Sequence, residues 1–275
     1  MIPGAFEYHR PDSLAEATGL LTQLGEEARV LAGGHSLIPM MKLRMAAPEH
    51  LIDLQNIAEL RDISVGHGTV VIGAMVTQDR LIMNEALASA VPILREAALQ
   101  IADPQVRYVG TLGGNVANGD PGNDMPGLMQ CLGATYELSG PKGTRQVAAR
   151  DFYESAYFTA REEDEILTRV HVPVPESRGF AYEKQKRKIG DYATAAAAVL
   201  VGGGSASVAM TNLSDTPVWS EEAGAKLASG DAEGCVAAML AAINPGEDMR
   251  GPIAFKHHVA GVILRRAIAR AQSRA

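Results

Sequence analysis

Cysteine is scarce in this chain. Cys131 and Cys235 are the only two in 275 residues, they lie far apart, and no Cys-x-x-Cys occurs. The chain by itself therefore offers neither an iron–sulfur cradle nor a zinc ribbon. Both thiols sit in apolar helical contexts and read as buried and free. Aromatic residues are also few, at 5%. No apolar run reaches the roughly 18 residues that a membrane-spanning helix needs. Basic residues are outnumbered, with 25 Lys and Arg against 32 Asp and Glu for a net charge of −7. No basic stripe is left to neutralise nucleic-acid phosphates, which argues against nucleic acid as the partner. The opening Met1-Ile2-Pro3-Gly4-Ala5-Phe6 lacks a basic segment followed by an apolar one, so no signal peptide is expected and the cytoplasm is the expected location.

Several familiar motifs are missing as well. Neither G-x-G-x-x-G nor G-x-x-x-x-G-K-[ST] occurs, which disfavours a Rossmann dinucleotide site and a P-loop. Gly34-His35-Ser36-Leu37-Ile38 lacks the second glycine of a nucleophile elbow. No H-E-x-x-H is present, and His257-His258, neighbours on an expected helix, face apart and do not suggest a metal site. No acid–base or nucleophile set emerges, so no catalytic residue is assigned.

What the chain has is glycine: 28 residues, concentrated at 33–34, 110–114, 119–127 and 202–204. The length suits two domains by the prior of about 150 residues each. Ser13 and Glu16 suggest a capping box for a helix ending at Gly25. Strands are expected at 28–31 and 51–54, giving a small β-α-β start over residues 1–55. A strand at 70–72 precedes a helical stretch over 78–102, capped by Thr77 and interrupted near Pro92. Residues 103–127 show little periodicity and read as a long ordered loop, a length that is uncommon unless functional. A short helix follows at 125–132, then strands at 134–138, 145–149 and 165–172. Pro173-Val174-Pro175-Glu176-Ser177 reads as the domain connection. Beyond it lie strands at 180–186, 193–201 and 206–212 and helices at 219–229, 231–243 and 252–273. Ala195–Ala198 favours helix by propensity, but its neighbours Val199-Leu200-Val201 favour a buried strand. The arginine-rich end of the last helix reads as solvated surface.

Two glycine-rich segments stand out: Ala32-Gly33-Gly34-His35-Ser36-Leu37, directly after a strand, and Thr111-Leu112-Gly113-Gly114-Asn115 within the 103–127 stretch. Consecutive small residues let backbone N–H groups converge on an anion. Ser36, Thr111 and Asn115 add side-chain donors. In an acidic chain this arrangement suits a pyrophosphate, held by many dipoles and few charges. Each segment alone is also compatible with a plain tight turn.

These residues, together with Lys188-Ile189-Gly190-Asp191-Tyr192-Ala193, resemble the flavoprotein (medium) subunits of molybdenum hydroxylases. The longer stretches Ile101-Ala102-Asp103-Pro104-Gln105, Gly119-Asp120-Pro121-Gly122-Asn123-Asp124 and Tyr182-Glu183-Lys184 look most similar to the carbon monoxide dehydrogenase branch of that family. The resemblance covers essentially the whole chain. It implies an α+β architecture: an FAD-binding fold of the vanillyl-alcohol oxidase (PCMH) type over residues 1–175, split into a β-α unit (1–55) and a larger mostly antiparallel part (56–175). An α+β C-terminal domain of the CO dehydrogenase flavoprotein type follows over 176–275.

The resemblance also implies one non-covalent FAD, with no covalent link at His35. Residues 32–36 and 111–115 would wrap the pyrophosphate and nearby hydroxyls. Asp124 would accept a hydrogen bond from a cofactor hydroxyl. Ile101 and Leu167 would line the ring pockets. Lys184, or Glu183 in an alternative alignment, would approach the isoalloxazine carbonyls, with Asp191 and Tyr192 beside the ring. The implied role is electron transfer within a complex. Its partners would be a molybdenum-containing large subunit and a [2Fe–2S] small subunit, in a dimer of heterotrimers. An external acceptor such as quinone would take the electrons, with the complex possible at the inner face of the membrane. A xanthine or aromatic substrate, a stand-alone flavin oxidoreductase and a flavin-free scaffold remain alternatives. Shortened loops are expected near 202–207 and 230–234, away from the flavin.

Overall fold

Ser13 Oγ accepts a hydrogen bond from Glu16 N at 3.2 Å, and Gly25 closes the same helix at φ +55°. These caps fix α1 (Leu14–Leu24) between β1 (Glu7–His9) and β2 (Ala28–Leu31). The carboxylate of Glu16 reaches back to Asp12 N at 3.0 Å, so the capping box is displaced by one residue. A short helix, α2 (Leu37–Lys42), leads to β3 (His50–Asp53). The three strands pair in parallel in the order β1-β3-β2, and Ala17 and Leu21 pack against Ile52 beneath α1. The computed structural model describes residues 2–66, 68–176 and 179–275; Met1 of the opening and Ser177 of the expected connection lie outside the described residues.

After β4 (Ile63–Val65) and β5 (Thr69–Gly73), Thr77 caps α3 (Gln78–Met83). The expected helical stretch 78–102 is three helices. Its first break is at Asn84, whose Oδ1 caps Leu87 N at 2.9 Å to start α4 (Glu85–Ala90). The second is at Pro92, which begins α5 (Pro92–Ala98).

Residues 103–127 are not the expected loop. Asp103 caps α6 (Pro104–Val109), Thr111 caps α7 (Leu112–Ala117), and α8 (Asp124–Leu132) follows. Short helices held by caps and tertiary contacts need no periodicity of their own, which is why sequence pattern missed them. The chain continues through β6 (Thr135–Gly140), β7 (Gly143–Ala148), the small hairpin β8 (Tyr153–Ser155) and β9 (Phe158–Thr159), and β10 (Ile166–Pro173). An antiparallel five-stranded sheet results, in the order β4-β5-β10-β6-β7.

The remaining chain forms β11 (Gly179–Gln185), β12 (Ala195–Gly202), β13 (Ser205–Thr211) and β14 (Val218–Trp219), covered by α9 (Glu221–Ala228), α10 (Ala232–Ala242) and α11 (Ile253–Gln272). Gly203 and Gly204, both at positive φ, make a tight two-residue turn between β12 and β13. The alanine run Ala195–Ala198 is strand because both faces of this sheet are covered. Ala196, Ala198 and Leu200 join the core of the preceding domain, while Ala195, Ala197 and Val199 join the core under α10 and α11. A strand buried on both sides reads as an unbroken apolar run. Both cysteines are buried and free; burial pushes the Cys131 thiol up to about 12 and the Cys235 thiol up to about 11.

The two halves are joined by ions. Tyr182 and Lys184 leave β11 on one face, two residues apart. The Tyr182 hydroxyl donates to Asp124 Oδ1 at 2.6 Å, and Lys184 Nζ donates to Asp124 Oδ2 at 2.8 Å. The lysine side chain is 1% exposed and the aspartate 5%. The arginine-rich end of α11 is in part the expected solvated surface, with Arg265 and Arg266 exposed, but Arg270 pairs with Glu96 on α5 and Glu183 on β11, and Arg274 donates to Glu96 at 2.9 Å. Burial would raise the Glu96 carboxyl, but hydrogen bonds from Arg270, Tyr182 N and Arg274 outweigh it and hold it below its ordinary value.

Removing one member of a buried pair strands the other. Lys184→Met should therefore cost about 3–5 kcal/mol in urea unfolding, and adding Asp124→Asn should recover most of it. A loss under about 1 kcal/mol for the single variant, the range of an exposed pair, would show that Asp124 is not held as described.

Candidate functional site

The two glycine segments meet because the backbone leaves no room for a side chain between them. A Cβ on Gly33 would lie 2.3 Å from Val109 O and 2.9 Å from Gly110 Cα. Their junction forms one wall of a cleft of about 670 Å³, within the range of small-molecule and cofactor sites. All the site residues expected from the sequence line it except Leu112, which is buried in the core, and the alternative Glu183: Ala32, Gly33, Gly34, His35, Ser36 and Leu37 on one side; Thr111, Gly113, Gly114 and Asn115 opposite; Ile101, Asp124 and Leu167 along the floor; and Lys184, Asp191 and Tyr192 from the C-terminal domain.

The two segments differ in what they offer. Gly34 turns at φ +71°, and the N–H groups of Gly33, Gly34, His35, Ser36 and Leu37 have no acceptor among the described residues; the first intrahelical bond of α2 is Ile38 N to Gly34 O. His35 Nδ1 lies 2.8 Å from Gly33 O, which ties the ring to the loop. This is a run of free dipoles suited to an anion.

The second segment is a helix start whose N–H groups are already spent. Leu112 N donates to Val76 O, Gly113 N to Ala74 O, Gly114 N to Thr111 Oγ1 and Asn115 N to Thr111 O, all at 2.8–3.1 Å. It is therefore not a second nest of backbone donors. Its contribution is clearance and side-chain donors. Thr111 Oγ1 accepts from Gly114, so its proton is free to donate. Asn115 Oδ1 accepts from Met125 N at 3.2 Å, which leaves its NH2 group unspent among the described residues.

Gln78 belongs to the same wall and sequence reasoning missed it. It is 2% exposed and lines the cleft, yet neither Oε1 nor Nε2 has a partner among the described residues. Buried amides without partners are rare because each unmet group costs about 1–3 kcal/mol. Only its place beside the Thr77 cap distinguished it in the sequence.

At the floor, Asp124 is committed to Tyr182 and Lys184, and Lys184 Nζ also lies 3.3 Å from Gln100 O. Between the two alternatives, Lys184 reaches the cleft, whereas Glu183 pairs with Arg270 outside it. Ile101 and Leu167, 7% and 4% exposed, give apolar walls. Ala102 and Tyr157, both cleft residues, hold φ of +43° and +66°, strain of a kind that collects at ligand sites.

Burial would raise the Asp191 carboxyl, but the 3.0 Å hydrogen bond from Arg187 outweighs it and holds it below its ordinary value. Burial, reinforced by Asp120, pushes the Tyr192 phenol up to about 12 although the ring keeps 41% exposure. Tyr192 is thus a neutral, half-open ring at the cleft rim. At another edge stand Arg29 and Arg161; burial and then Arg29 lower the Arg161 guanidinium, and neither has a carboxylate partner among the described residues.

Comparison with known proteins identifies the family. Residues 4–175 match the model of the FAD binding domain in molybdopterin dehydrogenase, and residues 180–271 that of the CO dehydrogenase flavoprotein C-terminal domain. The carbon monoxide dehydrogenase medium chain of Afipia carboxidovorans is 58% identical, the match covering 100% of this chain and 99% of that one. A chain of the solved reconstituted CO dehydrogenase from Oligotropha carboxidovorans superposes with a TM-score of 0.97 at 58% identity, covering 100% of both chains. Quinoline 2-oxidoreductase from Pseudomonas putida 86 superposes with a TM-score of 0.92 at 34% identity, covering 99% of both. With both halves matched and the relatives covered from end to end, the chain belongs to the flavoprotein family of the molybdopterin dehydrogenases.

Proposed function

We propose that this chain is the FAD-carrying electron-transfer subunit of a complex of the carbon monoxide dehydrogenase type. Its partners in this reading are a molybdenum-containing large chain and a [2Fe–2S] small chain, in a dimer of heterotrimers that delivers electrons to an acceptor such as quinone. No helix among the described residues is long and apolar enough to cross a membrane, and we place the complex in the cytoplasm or against the inner face of the membrane. The observation that carries the proposal is the cleft: it gathers both glycine segments with Asp124, Lys184 and Tyr192, and it leaves unspent the N–H groups of 33–37, the Thr111 hydroxyl proton, the Asn115 NH2 group and the Gln78 amide. The higher identity to the carbon monoxide enzyme, 58% against 34% for the quinoline enzyme, favours that branch.

The residues present fit FAD. A pyrophosphate needs several converging donors, and the N–H groups of 33–37 with Ser36, Thr111 and Asn115 supply them. The orphaned Gln78 amide needs both a donor and an acceptor, which a nucleotide offers. Ile101 and Leu167 would exclude water from the ring pockets, and Lys184, held by Asp124, would lie on the isoalloxazine side of the cleft. Tyr192 provides stacking area and limits access to one side. The bound flavin supplies the one- and two-electron chemistry; the protein supplies binding, orientation and control of potential.

The direct test is the visible spectrum of the chain isolated with its native partners, before and after acid precipitation. A flavin band that passes into the supernatant is expected. Absence of flavin from both fractions would defeat the proposal. Gly114→Val brings a side chain against Thr111 Oγ1, 2.9 Å from the added Cβ, and Ala32. It should abolish flavin retention; a full flavin complement in that variant would remove the 111–115 segment from the site.

Gln78→Leu separates binding from folding. Losing a buried amide that has no protein partner should leave the flavin-free chain as stable or more so, while FAD affinity falls about tenfold, the worth of one net hydrogen bond. Equal affinity in the two proteins would show that Gln78 does not meet the cofactor.

A further inference from the structure

Strand geometry assembles a second set of donors away from the cleft. Residues two apart on a strand share a face, and residues in register on adjacent parallel strands share it as well. Glu7 and His9 are two apart on β1, and Glu7 pairs in register with His50 on β3. The three side chains therefore project together. His9 Nε2 lies 3.1 Å from His50 Nδ1, Glu7 Oε2 lies 3.5 Å from His50 Nδ1, and Glu7 Oε2 lies 4.0 Å from His9 Nε2. Tyr8, between them, points to the other face, where its hydroxyl donates to Asp53 Oδ2 at 2.5 Å.

We propose that Glu7, His9 and His50 bind a divalent transition-metal cation, with zinc(II) as the best fit. Donors about 2.0–2.1 Å from one tetrahedral ion stand about 3.4 Å apart. Two edges of the triangle already lie within a few tenths of an ångström of that value, and the third closes with a small rotation of Glu7. That rotation is open to it: the glutamate is 73% exposed, while His9 and His50 are 26% and 15% exposed and set by the strands. Two imidazoles and one carboxylate suit zinc, nickel or copper, whereas magnesium and calcium prefer oxygen donors throughout. The exposed side of Glu7 leaves a fourth position for water or a donor from another chain. None of the three residues lines the cleft, so the site is separate from the flavin. A bound ion would clip β1, a three-residue edge strand paired only to β3, to the rest of its sheet.

The test uses the full-length chain, or the complex containing it, stripped with a chelator and desalted. Zn2+ is titrated by calorimetry and Co2+ by visible absorption. The expected result is one ion per chain, with the strong Co2+ bands of a four-coordinate site. Glu7→Gln should weaken binding about tenfold or more, and His9→Ala with His50→Ala should abolish it, with flavin content unchanged in every variant. No binding by the unaltered protein would leave the two histidines as partners in a simple N–H···N hydrogen bond and overturn the proposal. Unchanged stoichiometry and affinity in the variants, an ion held elsewhere such as at His257 and His258, would overturn it equally. Should the double histidine variant fail to fold, the exposed Glu7→Gln substitution carries the test alone.

Discussion

Asp124 is the constraint on which the rest depends. A carboxylate cannot be taken out of water unless its charge is matched and its lone pairs are filled, since the effective penalty is several kcal/mol per ion. Here the match comes from another domain: Lys184 and Tyr182 arrive together because they alternate onto one face of β11. The second domain is thereby built into the floor of the first domain's cleft. Burial and the neighbouring aspartate push the Tyr182 phenol well above its ordinary value, so it remains a donor to Asp124. Once that register is fixed, the alternating faces of β12 fall into two cores, and Arg270 and Arg274 on α11 come within reach of Glu96. A buried pair is weak evidence for stability, because an apolar replacement of equal shape is often as good. Its value in this fold is positional: only one strand register satisfies it.

Much of this was legible in the sequence because each signal had a local physical cause. Ser13 with Glu16 marked α1, Thr77 marked α3, and the Val-Leu-Val run after the alanines marked a buried strand. The failures share a cause as well. Between 103 and 127 the chain forms two helices of only six residues, the second with two glycines inside it, so periodicity carried no information. The informative residues were the caps, Asp103 before Pro104 and Thr111 before Leu112, each of which accepts from the N–H three residues on. Strand β1 and the Glu7, His9, His50 triangle were illegible for another reason: they depend on a pairing 41 or more residues apart that nothing local encodes. Gln78 looks like any surface glutamine until burial is known.

The glycine segments show how similar composition can serve unlike purposes. Both were readable as anion nests. In the folded chain the second has its N–H groups satisfied by Thr111 and by the carbonyls of Ala74 and Val76, so its glycines are there for proximity. Gly113 packs against Ala74, where a Cβ would come within 2.5 Å of the alanine Cβ. Only the first segment keeps its dipoles free. The division is economical: one rigid wall holds its place by backbone bonds while the facing loop keeps its donors unspent.

This division also explains how a chain with net charge −7 can hold a dianion. Most of its charges lie on the surface, and at physiological salt their influence fades within about 8 Å. What a ligand in the cleft meets is local. The lysine there is neutralised by Asp124, and Glu165 is neutralised by a two-pronged contact with Arg145 at 2.6 and 2.8 Å, which holds its carboxyl below its ordinary value. Beyond those pairs the cleft is lined by five free N–H dipoles, by Arg29 and Arg161, whose guanidiniums rest on backbone carbonyls, and by the exposed Glu163 beside Arg161. An acidic protein can therefore offer a donor-rich cleft, because its buried carboxylates Asp124 and Glu165 are paired and its loop N–H groups are not.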